Sequence, residues 1–367
     1  MYDFADELGP LKVIHVHEPS VGLKAVLVVD NVAKGPSIGG IRMAADVTTE
    51  ECMRLARAMT FKNAAAGLPH GGGKIVIWGD PGMPGEKKEV LMRALANSLR
   101  EVEQYVFAPD MGTDEECMAW IKDEVDRVVA LPREVGGIPL DEIGATGFGL
   151  SHVVEVALEQ CDFDIQGARV VVQGFGAVGR AAARFLTEKG AVLVGAADSK
   201  GTIHNPEGLD VTALTGLKQA GHSVTNYARG EALDRDAVIG IPCDIWIPAA
   251  RPDVVHEDNV QRLDTRLVVQ GANIPFTTTA EKILHEKGVL CVPDFIANAG
   301  GVICAAMEYH GASESAALQT IEDKVRRNTA LVLEASKSQG ILPRQAAVDL
   351  ARRRVEKAMS FRRWNLF

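Results

Sequence analysis

Two lysines that are close in the chain are the first candidates for chemistry. Lys62 shares one face of a predicted helix with Cys52, Leu55 and Met59, because these positions are three or four residues apart. An ammonium group that leaves water needs an anionic partner or a chemical role, since an unpaired buried charge is costly. Lys74 follows a run of three glycines, which have no side chains to keep a ligand from the backbone. We therefore expect both lysines to reach one open pocket.

A structural reading of each lysine stays open. Lys62 could lay its stem over the edge of the core and keep its charge in water, and Lys74 could simply follow a turn. The helix that carries Lys62 is predicted to begin near Thr48, because Thr48 and Glu51 have the spacing of a capping box.

Four glycine-containing or proline-containing motifs follow one another along the chain. They are GPSIGGIR (35–42), LPHGGGKIVIWGDP (68–81), PDMGT (109–113) and PDFIANAGGV (293–302). In type and order they resemble motifs of the glutamate/leucine/phenylalanine/valine dehydrogenase superfamily, and the resemblance extends over nearly the whole chain. It implies an NAD(P)-dependent oxidoreductase that acts on the CH–NH2 group, converting an L-amino acid reversibly to a 2-oxo acid and ammonia.

The resemblance also implies roles for individual residues. Lys74 corresponds to the catalytic lysine, Asp110 to the acid that exchanges protons with the substrate nitrogen, and Lys62 to the cation that binds the substrate carboxylate. Further contacts to the substrate or the nicotinamide are implied for Gly39, Gly40, Thr146 and Asn273. Without the resemblance, Asp110 and Asn273 would be ordinary turn residues.

The substrate side chain is where this sequence departs from the glutamate members. Those members have a lysine and a serine at the positions of Ile38 and Ala305, and both contact the substrate γ-carboxylate. Apolar groups there would leave a distal carboxylate desolvated and unpaired. We predict an apolar substrate, leucine, valine or isoleucine first and phenylalanine second. The alternative is a glutamate dehydrogenase with a different cation, because the GANIP and NAGGV segments look more like glutamate members.

A second constellation, between residues 169 and 199, predicts a dinucleotide site. A buried strand is followed by GxGxxG, a helix, and a second strand that ends at Asp198. Asp198 is placed to hold a ribose 2′-hydroxyl and favours NAD, whereas Ser199 and Lys200 could accommodate the 2′-phosphate of NADP. The predicted cofactor-binding residues are Gly174, Gly176, Ala177, Val178, Gly179, Asp198 and Ser199, together with Ala249, Ala250, Asn273 and Asn298 near other strand ends. The resemblance adds Thr146.

These motifs require two α/β domains. We predict an N-terminal α/β domain at 1–142, a Rossmann-type domain at 143–339 and a cleft between them. The resemblance implies that the first domain binds the substrate and mediates oligomerisation, and that a C-terminal helix in about 340–367 packs back on it. Strands are predicted at 12–17, 24–30 and 75–78, and helices at 86–104 and 149–160. The GPSIGG segment is predicted to interrupt the strand pattern before the helix that carries Lys62.

The bulk composition narrows the class of protein. The 367 residues carry a formal charge of -10, which argues against nucleic acid or an anionic membrane as a partner. The six cysteines form no CxxC pair, so we expect reduced thiols, no metal and a cytoplasmic location. The N-terminus is acidic where a signal peptide would be positive, so we expect none. The resemblance implies a homo-oligomer. Two other classes remain. A non-catalytic nucleotide-binding relative would be expected to lose Lys74 or Asp110, and a hydroxy acid dehydrogenase would have only His70 as a loop histidine.

Overall fold

The computed structural model describes residues 5–362, which form two compact units. The first contains residues up to 140 with 302–317 and 348–362, and the second contains 141–301 and 318–347. Residues 302–317, which the sequence prediction placed in the second domain, are held in the first unit because the Glu308 carboxylate accepts hydrogen bonds from the backbone of Leu131 and Ile138. The ends of the two predicted terminal segments, 1–4 and 363–367, lie outside the described residues.

The first unit is built on a five-stranded mixed sheet. Its strands are β1 (Lys12–Glu18), β2 (Leu23–Asn31), β3 (Ser37–Ala44), β4 (Gly71–Trp78) and β5 (Tyr105–Pro109). The order is β1-β2-β4-β3-β5; β3 is parallel to β4 and β5, whereas β2 is antiparallel to β1 and β4.

Gly39 and Gly40 of GPSIGG lie inside β3, so the predicted interruption is wrong there. A β-carbon at Gly39 would lie 1.8 Å from the Gly73 carbonyl oxygen of β4. Glycine therefore lets the two strands approach, and propensity alone could not show this because the reason is the neighbouring strand.

Helices cover both faces of this sheet. On one face, α2 (Gly85–Ser98) and α3 (Glu115–Lys122) pack against a core that includes Ile41 and Ile75. On the other face, α1 (Thr49–Ala65) packs against Val28 and Val76. Removing these apolar side chains from water stabilises the layers by about 25 cal/mol per Å².

Helix α1 begins where the sequence predicts, but the face that it buries differs from the predicted one. The Thr48 hydroxyl accepts from the Glu51 amide at 3.0 Å, whereas the Glu51 carboxylate binds Arg42 at 2.6 Å. The fully buried line is Cys52, Ala56, Thr60 and Asn63; Lys62 is only half-buried, beside this line.

The second unit has a seven-stranded sheet of order β12-β11-β10-β6-β7-β8-β9. The parallel strands are β6 (Arg169–Gln173), β7 (Val192–Ala197), β10 (Ile245–Pro248), β11 (Leu267–Val269) and β12 (Leu290–Val292). The antiparallel strands β8 (Thr202–His204) and β9 (Glu231–Leu233) extend one edge. The strand order reverses direction at β6, as in doubly wound folds, and the predicted α/β class with a Rossmann-type domain is confirmed.

The remaining helices follow the strands in the chain. They are α4 (Leu140–Ile143), α5 (Ala145–Leu158), α6 (Ala177–Glu188), α7 (Val211–Gln219), α8 (Thr278–Glu286), α9 (Asp294–Ala297), α10 (Gly300–Tyr309), α11 (Glu314–Gln339) and α12 (Pro343–Met359). In the described part of the chain, none of these helices has the length and apolar character needed to cross a membrane.

Candidate active site

A buried lysine and a carboxylate form a close ion pair in the first unit. Lys74, on β4, is 5% exposed, and its Nζ lies 2.6 Å from Oδ2 of Asp110. Asp110 follows the last residue of β5, and β3 lies between β4 and β5. The parallel pairing of these strands therefore brings together two residues that are far apart in the sequence.

Gly40 of β3 makes this approach possible. The parallel register places Gly40 beside Lys74, and a β-carbon on Gly40 would lie 2.7 Å from Asp110 Cβ and 3.2 Å from Lys74 Nζ. The first of these distances is shorter than carbon atoms tolerate, so only glycine leaves room for the pair. The Tyr105 hydroxyl, which donates to the Gly39 carbonyl at 2.5 Å, fixes the backbone at this point.

The PDMGT turn holds Asp110 in position. The Asp110 amide donates to the Thr113 hydroxyl at 3.0 Å, and that hydroxyl donates to the Ile41 carbonyl at 2.7 Å. The turn is thus tied to β3, which also carries Gly40.

Two cations keep the Asp110 carboxyl ionised. Burial would raise its pKa, but Lys74 and then Arg42 outweigh that effect and lower the pKa of Asp110 to about 2. Arg42 Nε lies 3.0 Å from the same Oδ2, and its NH1 binds Glu51 of α1. At neutral pH Asp110 is a proton acceptor held between two positive charges.

The glycine run before Lys74 has a packing role, and the prediction that it leaves the backbone open to a ligand is wrong. These glycines begin β4, and all three are buried. A β-carbon at Gly71 would lie 1.8 Å from the Asn31 carbonyl oxygen, and one at Gly72 would lie 2.0 Å from the Thr60 amide nitrogen. The run therefore lets β2 and α1 approach β4 closely.

The residues expected at the substrate side chain are both apolar and buried. Ile38 is 2% exposed and lies two positions before Gly40, on the sheet face that also carries Lys74. Ala305, on α10, is 5% exposed. Lys62 lies on α1, next to Asn63 in the chain. The Asn63 side chain donates hydrogen bonds to the carbonyls of Ile38 and Gly71, which ties this part of α1 to β3 and β4.

Several polar residues of this site were not predicted. They are Arg42, Glu51, Tyr105 and Thr113. Arg42 could have been found from the sequence, because it is two residues after Gly40 and would share its face once the segment was recognised as a strand.

In the second unit, a cavity of about 790 Å³ opens at the carboxyl ends of β6, β7 and β10. Six of the predicted cofactor-binding residues line it: Gly174, Gly176, Asp198, Ser199, Ala249 and Ala250. This is the edge of the sheet where doubly wound folds bind dinucleotides.

The three motif glycines have separate roles around this cavity. Gly174 has φ of +100°, and a β-carbon there would lie within 2.8 Å of Ala249 and Ala250. Gly176 precedes α6 and would have nothing within 4 Å of its β-carbon, whereas one at Gly179 would lie 2.0 Å from the Gly174 carbonyl oxygen. The helix thus packs tightly on the turn, and its exposed N-terminus, with Ala177 and Val178 in the first turn, fits a pyrophosphate.

Asn298 offers a buried acceptor near the end of the same sheet. Its Nδ2 donates to Asn273 Oδ1 at 2.9 Å and to the Gly271 carbonyl at 3.2 Å, whereas its buried Oδ1 accepts no hydrogen bond from the described residues. A β-carbon at Gly301 would lie 3.1 Å from the Thr146 hydroxyl, so Thr146 lies against the NAGGV segment. A hydroxyl or carboxamide group of a dinucleotide could supply the donor that Asn298 lacks.

A Rossmann-type unit with this cavity, joined in one chain to an α/β unit with a buried lysine–carboxylate pair, defines a two-domain dinucleotide-dependent oxidoreductase. The model of the "Glu/Leu/Phe/Val dehydrogenase, dimerisation domain" matches residues 10–127, and that of "Glutamate/Leucine/Phenylalanine/Valine dehydrogenase" matches residues 136–363. The chain belongs to this family of amino acid dehydrogenases, which are NAD(P)-dependent oxidoreductases acting on the CH–NH2 group.

Named relatives are similar over most of their length. A glutamate dehydrogenase of Aeropyrum pernix is 38% identical, covering 91% of this chain and 85% of the relative. An NADP-specific glutamate dehydrogenase of Saccharolobus shibatae is 34% identical (76% and 69% covered), and an NAD-specific one of Staphylococcus aureus is 33% identical (99% and 93%). The hetero-hexameric glutamate dehydrogenase of Thermus thermophilus, in its Leu-bound form, superposes with a TM-score of 0.88 at 30% identity, covering 97% of this chain and 91% of that one.

Proposed function

We propose that the protein catalyses the reversible oxidative deamination of an apolar L-amino acid, with Lys74 and Asp110 as the catalytic residues. The observation that carries the proposal is the 2.6 Å contact between Lys74 Nζ and Asp110 Oδ2, beside a glycine that leaves the pair uncovered. An ammonium and a carboxylate in contact are a donor and an acceptor for the proton transfers that deamination requires.

Each residue has a separate step. Lys62 binds the substrate α-carboxylate, and the Asp110 carboxylate takes a proton from the substrate ammonium group. When bound, NAD(P) would accept a hydride from the α-carbon, and Asn273, Asn298 and Thr146 would hold its nicotinamide end. Once the Lys74 ammonium has released a proton to solvent, its neutral amine takes a proton from the water that attacks the imino carbon. Asp110 returns its proton to the nitrogen, and ammonia leaves as the carbinol hydroxyl gives up its proton to solvent.

The apolar preference follows from the sheet face that carries Lys74. Ile38 lies on that face, and Ala305 is also buried and apolar, so neither residue offers a partner to a distal carboxylate. An ion left unpaired in such surroundings would lose on the order of several kcal/mol of binding energy, whereas a leucine or valine side chain would gain from burial.

Glutamate is the second candidate, because the relatives described above are named glutamate dehydrogenases. Position 38 is isoleucine, so the γ-carboxylate of a glutamate substrate would need a cation from another position. Arg42 is the nearest charged residue on the same strand, but it already binds Asp110 and Glu51.

The test is a screen of 2-oxo acids with ammonia and each reduced cofactor. We expect the 2-oxo acids of leucine, valine and isoleucine to give the highest kcat/KM, followed by that of phenylalanine. A kcat/KM for 2-oxoglutarate above all of these would replace the apolar assignment with the glutamate one. The absence of ammonia-dependent oxidation with every 2-oxo acid would leave a nucleotide-binding protein without this activity.

Variants of the ion pair test the roles. Lys74→Met and Asp110→Asn should each lower kcat by about 10²-fold or more, the range expected for removing a general acid or base. Lys87→Met and Asp126→Asn are the matched controls, because both residues are exposed and lie in the same unit. If the ion-pair variants behave like these controls, the catalytic roles are wrong.

We further infer a homo-oligomer. The match of residues 10–127 to a dimerisation domain supports this. The likeness to a subunit of a hetero-hexameric enzyme supports assembly into an oligomer, without specifying identical subunits. Light scattering during gel filtration should give a mass that is a multiple of 39.3 kDa, and a monomeric mass would contradict the inference.

A further inference from the structure

The Asp198 carboxylate, at the end of β7, is saturated by hydrogen-bond donors of the protein. Oδ1 accepts from the Lys200 amide at 2.9 Å and the Ser223 hydroxyl at 3.0 Å. Oδ2 accepts from Lys218 Nζ at 2.7 Å and the Val224 amide at 3.0 Å. Two donors on each oxygen fill the usual acceptor capacity of a carboxylate.

These contacts give Asp198 a structural role. Its side chain is 7% exposed. Burial would raise its pKa, but the ion pair with Lys218 and the hydrogen bonds from the amides and from Ser223 lower the pKa below its usual value. The carboxylate therefore stays charged and ties the end of β7 to α7 and to the segment at 223–224. To bind a ribose hydroxyl it would have to give up one of these bonds.

Two arginines lie on the open side of the same region. A second cavity of about 520 Å³ is lined by Ser199, Arg235 and Arg262, and all three residues also line the 790 Å³ cavity that contains Gly174 and Gly176. Arg262 is positioned by the bond from its NH2 to the Asp236 carbonyl at 2.9 Å, and the Arg235 carbonyl accepts from the Thr202 hydroxyl at 2.9 Å.

Acidic residues also line this second cavity, namely Asp234 and Asp236. The Asp236 carboxylate binds Arg235 Nε at 3.0 Å, but both side chains are more than 60% exposed. An ion pair so exposed contributes little, and a phosphate dianion can displace it because its oxygens match the planar donor fork of arginine.

We propose that Ser199, Arg235 and Arg262 form a binding site for the 2′-phosphate of NADP(H), and that Asp198 is an anchor of the cavity wall instead of a ribose ligand. The proposal deepens the proposed function, because it names the cofactor class that this dehydrogenase accepts. It replaces the expectation from the sequence that Asp198 selects NAD.

The direct test measures binding of two nucleotides that differ only by this phosphate, adenosine 2′,5′-bisphosphate and 5′-AMP, by calorimetry at fixed ionic strength. The unmodified protein should bind the bisphosphate at least about tenfold more tightly. Arg235→Ala and Arg262→Ala should each weaken bisphosphate binding by about tenfold, with a smaller change for 5′-AMP, because a charge-assisted hydrogen bond is lost. Arg353→Ala, at an exposed position of α12 in the other unit, is the control and should change neither affinity.

Kinetics with NADPH and NADH give the second readout. The ratio of kcat/KM for NADPH to that for NADH should fall in both arginine variants and stay unchanged in Arg353→Ala. Equal or tighter binding of 5′-AMP, or arginine variants that match the control, would overturn the proposal. Selective bisphosphate binding by a protein that deaminates no amino acid would refute the proposed function and leave this site intact.

Discussion

Gly40 and Asp110 lie so close together that a β-carbon on the glycine would be 2.7 Å from Cβ of the aspartate. The candidate active site therefore requires glycine at position 40, because a larger residue would displace Asp110. Gly40 sits on β3, between the strand that carries Lys74 and the strand that Asp110 follows. The strand order and one glycine together determine how closely the ammonium and the carboxylate approach.

Gly40→Ala should separate this pair without removing either charge. A displacement on the order of 1 Å is enough to cost about 10²-fold in rate, so we expect kcat/KM to fall by about that factor. Gly85→Ala is the control, because nothing lies within 4 Å of a β-carbon there and the residue begins α2 in the same unit. A Gly40→Ala enzyme as active as the control would show that the close approach is not needed.

Gly72→Ala tests the packing role of the glycine run. The added β-carbon would lie 2.0 Å from the Thr60 amide nitrogen and 2.5 Å from Thr60 Cα, so α1 would have to move away from β4. Overpacking of this kind costs about 1–3 kcal/mol or more in the free energy of unfolding. Urea titration should show this loss in Gly72→Ala and none in Gly85→Ala. If the two variants are equally stable, the run has another purpose.

The dinucleotide unit was predictable because its signals are local. The glycines from 174 to 179 and the acid at 198 belong to one strand, helix and strand, and the structure forms all three elements in that order. What the local pattern could not show is the environment of Asp198. Its partners Lys218, Ser223 and Val224 are about 20–26 residues further along and reach it only through the tertiary fold.

The first unit was harder to predict for a related reason. The glycines of β3 and β4 have low strand propensity, and their presence depends on neighbouring backbones that are distant in sequence. The spacing of Cys52, Leu55, Met59 and Lys62 predicts one buried face of α1, but the helix packs through Ala56 and Thr60, and Thr60 lies against Gly72. The pairing of Lys74 with Asp110 follows from the resemblance and not from any local pattern.

His70 should make the stability depend on pH between about 4 and 6.5. The ring is 1% exposed; its Nδ1 bonds to the Pro36 carbonyl at 3.0 Å and its Nε2 to His310 Nε2 at 3.0 Å. Burial and, to a smaller extent, the nearby His310 together lower the pKa of His70 to about 4, against the opposing effect of the Pro36 carbonyl. The unfolded chain then binds more protons than the folded one within this range, so the free energy of unfolding falls as the pH falls. Over the full range the loss is about 3 kcal/mol.

His70→Asn isolates this effect, because the asparagine amide can still donate to Pro36 but does not titrate. The difference in unfolding free energy between the unmodified protein and the variant should change by about 2–3 kcal/mol between pH 7 and pH 4. His222→Asn, at an exposed position, should leave the pH dependence unchanged. A pH dependence that is the same in all three proteins would exclude His70 as its source.

Arg344, in the first turn of α12, is the centre of a buried charge network in the second unit. Its guanidinium binds Glu281 Oε2 at 2.5 Å, Asp294 Oδ1 at 2.8 Å and Gln270 Oε1 at 2.8 Å. Glu281 and Asp294 are 4% and 5% exposed, and Asp294 Oδ2 also accepts from the Ile274 amide at 2.9 Å. Arg344→Met would leave two carboxylates buried without their cation, which costs about 3–5 kcal/mol in the free energy of unfolding.

Arg352→Met, on the same helix, is the matched control. Arg352 binds Glu356 at 2.8 Å on the surface, where solvent screens an ion pair and it contributes little to stability. Urea titration of both variants should therefore show a loss several times larger for Arg344→Met. Adding Glu281→Gln to Arg344→Met should recover part of that loss, because it removes one of the two uncompensated charges. A double variant no more stable than Arg344→Met would mean that the arginine acts through packing of its stem and not through charge.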